Sequence, residues 1–472
     1  DAPALTVTGL SCDSRTVRPG DLFLACRGRE HDGRAYIPAA LRAGAVAVVA
    51  DAGIADSDRP DGVPLLEVPD LAAQLGPIAS RFFDDPGSAL AVVGVTGTNG
   101  KTTVTQLVGQ LLRALDRPCG VIGTLGASLG GNAGAATHTT PDAVALQAQL
   151  AAWRDQGVRH AALEVSSHAL DQGRVNGLRI ATAIFTNLSR DHLDYHGTMR
   201  AYGDAKLRLF RHPGLRHAVI NLDDPFGARV RAALEPGVDA LTVSTRPGRG
   251  AAVTVAAPFE DPTGVGGTLV TPRGRGAFRA PLVGDYNLAN VAAAAAAALT
   301  LGFELEPVLA ALARLRPVPG RMEAVPNDRG LQVIVDYAHT PDALEKVLMA
   351  LRGQTAGRLL VVFGCGGDRD PGKRALMGSV ACALGDEVFV TSDNPRTEEP
   401  AAILEDIAAG CSGACHFEVD RARAIAAAIA AARPGDCVLL AGKGHEDYQV
   451  LGRERLPFSD LETARRALGV TP

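Results

Sequence analysis

Two kinds of apolar pattern alternate along this chain, and together they predict an α/β protein. Short continuous runs such as ALAVVGVT, ending at Thr96, have the length and β-branched content of strands buried on both faces. Segments such as VTQLVGQLLRAL, with apolar positions three and four apart, have the period of an amphipathic helix. From residue 89 the order is strand, glycine loop, helix, and the later runs HAALEV, TAIFTNL and HAVINL are separated by helical or loop segments. A parallel, doubly wound sheet covered on both faces is the expected result. The alanine-rich stretch 291–301 is too short to span a membrane and reads as a buried helix.

Two breaks divide this pattern. Residues 1–88 mix the apolar runs LFLAC, AVAVVA and VPLLEV with polar loops and end at Asp84-Asp85-Pro86-Gly87, a turn sequence. A proline cluster at 316–320 closes the middle section, giving expected domains of 1–88, 89–316 and 317–472. Beyond it come four strand candidates, LQVIVDY, RLLVVFG, EVFVTS and CVLLAG, with helical stretches PDALEKVLMALR and RARAIAAAIAAAR between them. Each of the four is followed at once by polar or glycine residues: Asp336 to His339, Gly364 to Arg369, Asp393 to Arg396, and Gly442 to Glu446. Open α/β sheets bind ligands at the carboxyl ends of their strands, so four such ends predict one binding face.

Composition narrows the class. With 472 residues, 46% hydrophobic and 21% charged, the chain has enough apolar surface for several cores, and disorder is excluded. The formal net charge of -5 offers no attraction to polyanions, which argues against nucleic acid as a partner. Eight cysteines are too sparse for a disulfide framework, and Cys411 with Cys415 lacks a second pair or histidines to complete a zinc site, so reduced thiols are expected. The opening Asp-Ala-Pro has no basic flank or apolar signal core, so a cytoplasmic enzyme is the expectation.

The chemistry starts at Gly94-Val95-Thr96-Gly97-Thr98-Asn99-Gly100-Lys101-Thr102-Thr103. Glycines free backbone N–H groups to face a phosphate, the helix start adds its positive dipole end, and Lys101 supplies a point charge. A hydroxyl from Thr102 or Thr103 suits a magnesium shell. The spacing departs from G-x-x-x-x-G-K-[ST], because Val95 stands where the first glycine would be. At two other strand ends lie Glu164 and His192. A carboxylate suits magnesium, whereas His192 reads equally as a ligand and as a structural hydrogen-bonding residue. Lys206, in AYGDAKLRLF, reads from its setting alone as a surface lysine.

These strings, with CDSRTVRPGDLF, EVSSHALDQGRV, FTNLSRDHLDYHGTM, GDYNLAN, GRME, DYAHTPDALEK, FGCGGDRD, DNPRTEEP and AGKGHEDYQ, resemble the Mur ligases of bacterial cell-wall synthesis over nearly the whole chain. The resemblance implies a small N-terminal α/β domain for a UDP sugar, a central doubly wound P-loop ATPase-like domain, and a C-terminal Rossmann-like domain for an incoming amino acid. It implies ATP-driven amide formation through an acyl phosphate, in a monomer acting on small molecules. It assigns Gly97, Thr98, Asn99, Gly100, Lys101, Thr102 and Thr103 to ATP, joined by Asn290, Arg321 and Asp336 when the C-terminal domain closes. Thr102, Glu164 and His192 are implied for magnesium, with Lys206 as a CO2-derived carbamate.

Cys12, Ser14, Thr139, Thr140, Ser166, Gln172 and Arg174 are implied along a UDP-N-acetylmuramoyl-L-alanyl-D-glutamate substrate, with Arg29, Glu30 and His31 at its uridine. His138 stands where the resemblance leads one to expect asparagine. For the acceptor, Asp393-Asn394-Pro395-Arg396 resembles the signature for meso-diaminopimelate, with Arg396 clamping the far carboxylate, Arg369 and Gly442 completing the pocket, and Glu446 facing the distal ammonium. A salt bridge from Arg396 to Glu398 or Glu399 is the structural alternative. A lysine-adding homologue, a folylpolyglutamate synthase-like ligase, a nucleotide-gated binding protein and a kinase releasing a phosphorylated carboxylate are the rival functions.

Overall fold

Three regions of apolar pattern become three principal sheets in the computed structural model, which describes residues 5–28, 31–56, 59–130, 138–261 and 263–470. Near the N-terminus, Gly9–Ser11, Asp21–Ala25, Ala47–Asp51 and Leu65–Val68 form a four-stranded parallel sheet in that order.

The middle region builds a ten-stranded sheet around Ala91–Thr96. That strand lies between His160–Glu164 and Thr182–Phe185, parallel to both, with Cys119–Gly123 and His217–Asn221 continuing the parallel order outward. Successive residues of the central strand point to opposite faces: Val93 and Val95 join one apolar core, Val92 the other. The first core is filled by Lys101–Ala114 and by Tyr286–Thr300, the alanine-rich helix, whose methyls permit close packing against its neighbour. The second takes Ala143–Asp155.

Both edges of this sheet differ from the all-parallel expectation: at one, the short strand Gly126–Ser128 runs antiparallel to Cys119–Gly123, and the other carries a longer departure. Val253–Asp261, Gly264–Thr271 and Gly274–Ala280 form an antiparallel meander, because tight turns join strands too closely for a helical crossover.

In the C-terminal region the strand order is Glu323–Ala324, Gln332–Asp336, Cys437–Ala441, Leu359–Phe363, Glu387–Val390, Cys415–Phe417. The four strands expected from sequence are adjacent and mutually parallel, so their carboxyl ends share one edge. Behind that edge Arg421 and Asp460, both with fully buried side chains, form a paired ion bridge of 2.7 and 2.6 Å. No helix among the described residues is long and apolar enough to cross a membrane.

A buried ion pair is costly to break from one side, because the survivor keeps its desolvation penalty. Asp460→Ala is therefore expected to destabilise the C-terminal region by about 3–5 kcal/mol. Urea unfolding followed by a probe in that region checks this, and a loss below about 1 kcal/mol would mean that Arg421 finds another partner.

Candidate active site

The glycine loop leaves Ala91–Thr96 at the carboxyl edge of the middle sheet and turns directly into Lys101–Ala114. Gly100 sits at φ +82, where a side chain is strained, and a Cβ there would come 2.8 Å from Asn290 Oδ1. Asn290 thus lies against the loop from the alanine-rich helix, held by donating to Asn287 Oδ1 at 2.9 Å.

Two lysines converge on the loop. Lys101 Nζ donates to the carbonyls of Gly97 at 3.0 Å and Thr98 at 2.8 Å, and Lys206 Nζ donates to the same Gly97 carbonyl at 2.7 Å. Burial lowers the pKa of both; for Lys206 it does so strongly, helped by the neighbouring charge of Lys101. Lys206 is 1% exposed and lies over the Tyr202 ring at 4.2 Å, so its reading as a surface lysine is wrong. Its helix, Met199–Leu207, turns that face inward against the sheet edge, which the local sequence does not announce.

The two strands flanking the loop strand deliver the other charges. Glu164, at the end of His160–Glu164, accepts from Thr102 Oγ1 at 3.1 Å, Thr124 N at 2.8 Å and Thr124 Oγ1 at 3.1 Å. Burial raises its pKa, opposed by the charge of Lys101. On the other side His192 follows Asp191, with Nε2 3.3 Å from the Asp191 carboxylate and its ring 4.8 Å from that of His168. Burial pushes His192 well below its ordinary pKa and His168 down to about 4, so both favour neutral imidazoles.

The second sheet edge faces the first across a cleft of about 1610 Å³, lined from all four C-terminal strand ends as well as by the loop. Arg321 Nη2 reaches Thr102 Oγ1 at 3.1 Å and stacks over Tyr337 at 4.3 Å. Asp336 accepts from the N–H groups of Met322 and Ala338 at 2.7 and 2.8 Å, and burial raises its pKa. Further contacts join the two regions: Asn99 Nδ2 to Asp342 at 2.8 Å, Arg190 to Asp370 at 2.9 and 3.1 Å, and Asp191 to His339 and Lys373 at 3.6 Å each.

Arg396 is half enclosed in this edge at φ +53, an unusual conformation for a bulky residue. Its Nη1 donates to the carbonyls of Gly367 at 2.7 Å and Asn394 at 3.3 Å, and burial, with Arg369 nearby, lowers its pKa. The alternative of an Arg396–Glu398 bridge fails, since Glu398 takes both its oxygens to Arg374 at 2.8 Å, and Glu399 forms no ion pair with Arg396 among the described residues. Asp393 packs against Gly442, and its carbonyl accepts from Gln449 at 2.7 Å. Pro395 carries its carbonyl to Glu398 N at 3.1 Å, and Arg369 donates to the Asp368 carbonyl at 2.9 Å. Glu446 Oε2 is already engaged by Lys443 at 2.8 Å and Asn394 at 3.0 Å, leaving Oε1 near the Tyr337 hydroxyl.

At the other end of the cleft Thr140, Ser166, Gln172 and Arg174 form one network. Thr140 Oγ1 donates to the Glu164 carbonyl at 2.8 Å, the Ser166 N–H donates to Thr140 Oγ1 at 3.1 Å, and Arg174 donates to the Thr140 carbonyl and to Gln172 Oε1 at 2.8 and 2.9 Å. Thr139 accepts from Thr124 at 3.1 Å, and Thr139, His138 and Arg174 line the cleft. Cys12 and Ser14 do not line it; they lie in the N-terminal region, where Cys12 is packed near Asp142. Arg29 and Glu30 fall outside the described residues.

Sequence reading gave no role to Asp191, Lys373, Thr124 and Asp342, and placed His339 and Lys443 only within the polar strand ends, without a role of their own. Asp191 was adjacent to a residue already singled out, and Lys443 lies inside the GKGHE string; its 0% exposure is the feature that marks it.

A phosphate-type loop at one sheet edge, facing a charged pocket on a second, defines an ATP-dependent ligase class, and the chain belongs to the Mur ligase family. Residues 6–83 match the Mur ligase family catalytic domain, 95–298 the Mur ligase middle domain, and 320–444 the Mur ligase glutamate ligase domain. A relative from Pseudomonas aeruginosa named UDP-N-acetylmuramoyl-L-alanyl-D-glutamate--2,6-diaminopimelate ligase is 52% identical over 98% of this chain and 95% of its own. One of the same name from Synechococcus elongatus is 52% identical over 98% and 94%. A solved structure of that name, 38% identical, superposes with a TM-score of 0.69 over 98% of this chain and 95% of its own. Mycobacterium tuberculosis folylpolyglutamate synthase, at 20% identity, covers 85% of this chain and 96% of its own with a TM-score of 0.67 and shares the fold alone.

Because several of the cross-cleft contacts run through Asp342 and Arg190, the combined variant Arg190→Ala with Asp342→Ala is expected to open the cleft. Small-angle scattering should show a larger radius of gyration than the unsubstituted chain. An unchanged curve would place the restraint in the Asp191 cluster instead.

Proposed function

We propose that the chain joins meso-diaminopimelate to UDP-N-acetylmuramoyl-L-alanyl-D-glutamate with hydrolysis of ATP to ADP and phosphate. The observation that carries this reading is Arg396, a partly desolvated guanidinium at the cleft edge with carbonyl partners and no ion-paired carboxylate among the described residues. The names of the close relatives support it. Domains of 1–88, 89–316 and 317–472 would carry the UDP substrate, the nucleotide and the amino acid, with Cys12 and Ser14 meeting the first.

In this reading Lys101 and the loop N–H groups hold the phosphates, and Asn290, Arg321 and Asp336 hold the rest of the nucleotide from the facing wall. Thr102 and Glu164 present hard oxygens 3.1 Å apart, and Glu164 is a buried carboxylate lacking full compensation, which suits Mg2+. Bound there, the ion would neutralise phosphate charge and let a substrate carboxylate approach. Lys206 suits CO2 capture, since attack on carbon dioxide needs a neutral amine and burial favours one; the carbamate would keep an N–H for Gly97 and would supply anionic oxygens for a cation that His192 could also hold.

The substrate carboxylate then displaces ADP from the γ-phosphate, and the acceptor amine displaces phosphate from the resulting acyl phosphate. Closed walls exclude water from that step. Arg396 and Arg369 take the distal carboxylate of the acceptor, with Asp393, Asn394, Pro395 and Gly442 shaping the pocket and Glu446 Oε1 facing its ammonium. L-Lysine would leave Arg396 unpaired, which selects by rejection.

Offered both acceptors with ATP and magnesium, the protein should form the diaminopimelate tripeptide and discriminate against lysine. Arg396→Ala should lower kcat/KM for diaminopimelate by about 100-fold or more and largely erase the preference, since a truncated buried charge contact costs about 2–5 kcal/mol. Equal turnover of both acceptors by the unsubstituted protein would overturn the acceptor assignment. Separately, Lys206→Ala should retain nucleotide binding by calorimetry yet lose tripeptide formation. Full activity in that variant would remove Lys206 from the mechanism, and ADP release without an acceptor would favour a kinase.

A further inference from the structure

Away from the cleft, the C-terminal region gathers three of its cysteines at one point. Cys382 lies near the end of Arg374–Leu384, Cys411 just beyond Pro400–Ala408, and Cys415 opens the edge strand Cys415–Phe417. The Cys382 and Cys415 sulfurs are 3.3 Å apart, and all three sulfurs lie within 4.8 Å of one another. All three are unbridged and partly buried, and none lines the ligase cleft.

The convergence is built into the backbone. Gly378 and Gly410 stand where the two helices touch: a Cβ on Gly378 would meet the Cys411 sulfur at 3.0 Å and the Ile407 carbonyl, and one on Gly410 would meet the Ala375 backbone. That approach brings Cys382 against the Cys411 turn. Gly413, at φ +82 between Cys411 and Cys415, then reverses the chain so that both ends of the C-x-x-x-C segment face inward. The sequence shows only that segment, whereas the third thiol comes from 29 residues earlier, across a helix contact.

We propose that Cys382, Cys411 and Cys415 form a three-thiolate site for one soft d10 cation of the Cu(I) class. Thiolates select soft cations, and a monovalent one is satisfied by three sulfurs in a plane. Structural zinc closes its shell with four protein ligands, and no fourth His, Cys, Asp or Glu joins this cluster among the described residues. Binding leaves oxidation states unchanged: three S–H bonds break, three sulfur–metal bonds form, and three protons pass to the buffer.

The test uses the full chain, reduced and anaerobic, titrated with Cu(I) against bicinchoninate. One ion per chain is expected, with affinity falling about 100-fold or more in Cys382→Ser, Cys411→Ser and Cys415→Ser, because loss of an inner ligand exceeds the 10–100-fold typical of outer-shell changes. Ligase turnover in the metal-free variants should stay within about twofold of the unsubstituted chain, as the cluster lies outside the cleft. A measurement without variants runs in parallel: bound Cu(I) should protect these three cysteines from alkylation, read peptide by peptide, and leave Cys12 and Cys26 reactive as before. Cu(I) uptake that survives the substitutions, or protection spread over all cysteines, would overturn the site. Zn(II) binding tighter than Cu(I) in the same assay would overturn the ion class.

Discussion

Two buried lysine side chains share one carbonyl oxygen, that of Gly97, and the rest of the site is organised around that constraint. Two like charges this close repel by about 4 kcal/mol even at an effective dielectric constant near 20. The free protein eases the conflict in two ways. Burial shifts Lys206 strongly toward its neutral amine, and Glu164 with Asp191 attracts Lys101 from strand ends on either side. Neither carboxylate forms an ion pair with Lys101 among the described residues, so the loop retains positive character that a polyanion can answer. The helix beginning at Lys101 adds to it.

Strand order makes this possible. The loop strand is central, and its two parallel neighbours end in Glu164 on one side and lead to Asp191 and His192 on the other. An antiparallel neighbour would have sent one of these groups to the opposite edge of the sheet. The second sheet repeats the logic: its last strand, Cys437–Ala441, inserts between Gln332–Asp336 and Leu359–Phe363, which sets Gly442 and Glu446 among Asp336, Arg369 and Arg396. Salt bridges and amide contacts between Asn99, Arg190, Asp191 and the facing region hold the two edges together.

Much of this was legible in the chain, and for a physical reason. Parallel strands buried on both faces leave continuous apolar runs, and ligand groups follow those runs directly, so the loop, Glu164, Asp336, Arg396 and Glu446 could be picked out in order. What was hidden depends on distance along the chain. The inward face of Lys206 is set by a helix packing on a remote strand end. The Asp191–His339–Lys373 cluster joins two sheets, and the pairing of Lys443 with Glu446 is visible only once both are known to be enclosed. The antiparallel meander at 253–280 was unread because two of its three strands, Gly264–Thr271 and Gly274–Ala280, are interrupted by glycines, and the first, Val253–Asp261, carries a proline and ends in acidic residues.

The Lys443 pairing also sharpens the account of selectivity. Glu446 is largely neutralised from within, through Lys443 and Asn394, so it offers a second ammonium group only modest attraction. Arg396 has no such internal partner among the described residues, its alternative partner Glu398 being held by Arg374. The imbalance between a satisfied carboxylate and an unsatisfied guanidinium means that the pocket is poised for a ligand's negative charge more than for its positive one. On the proposed reading an acceptor with an extra carboxylate would gain there what lysine cannot, and hydrogen bonds from Arg396 N to the Val450 carbonyl at 3.0 Å and from Nη1 to the Gly367 carbonyl at 2.7 Å hold the residue in place despite its φ of +53. On that reading, preorganisation of Arg396, which has no ion-pair partner among the described residues, rather than a larger number of contacts, is what would separate two acceptors of nearly the same length.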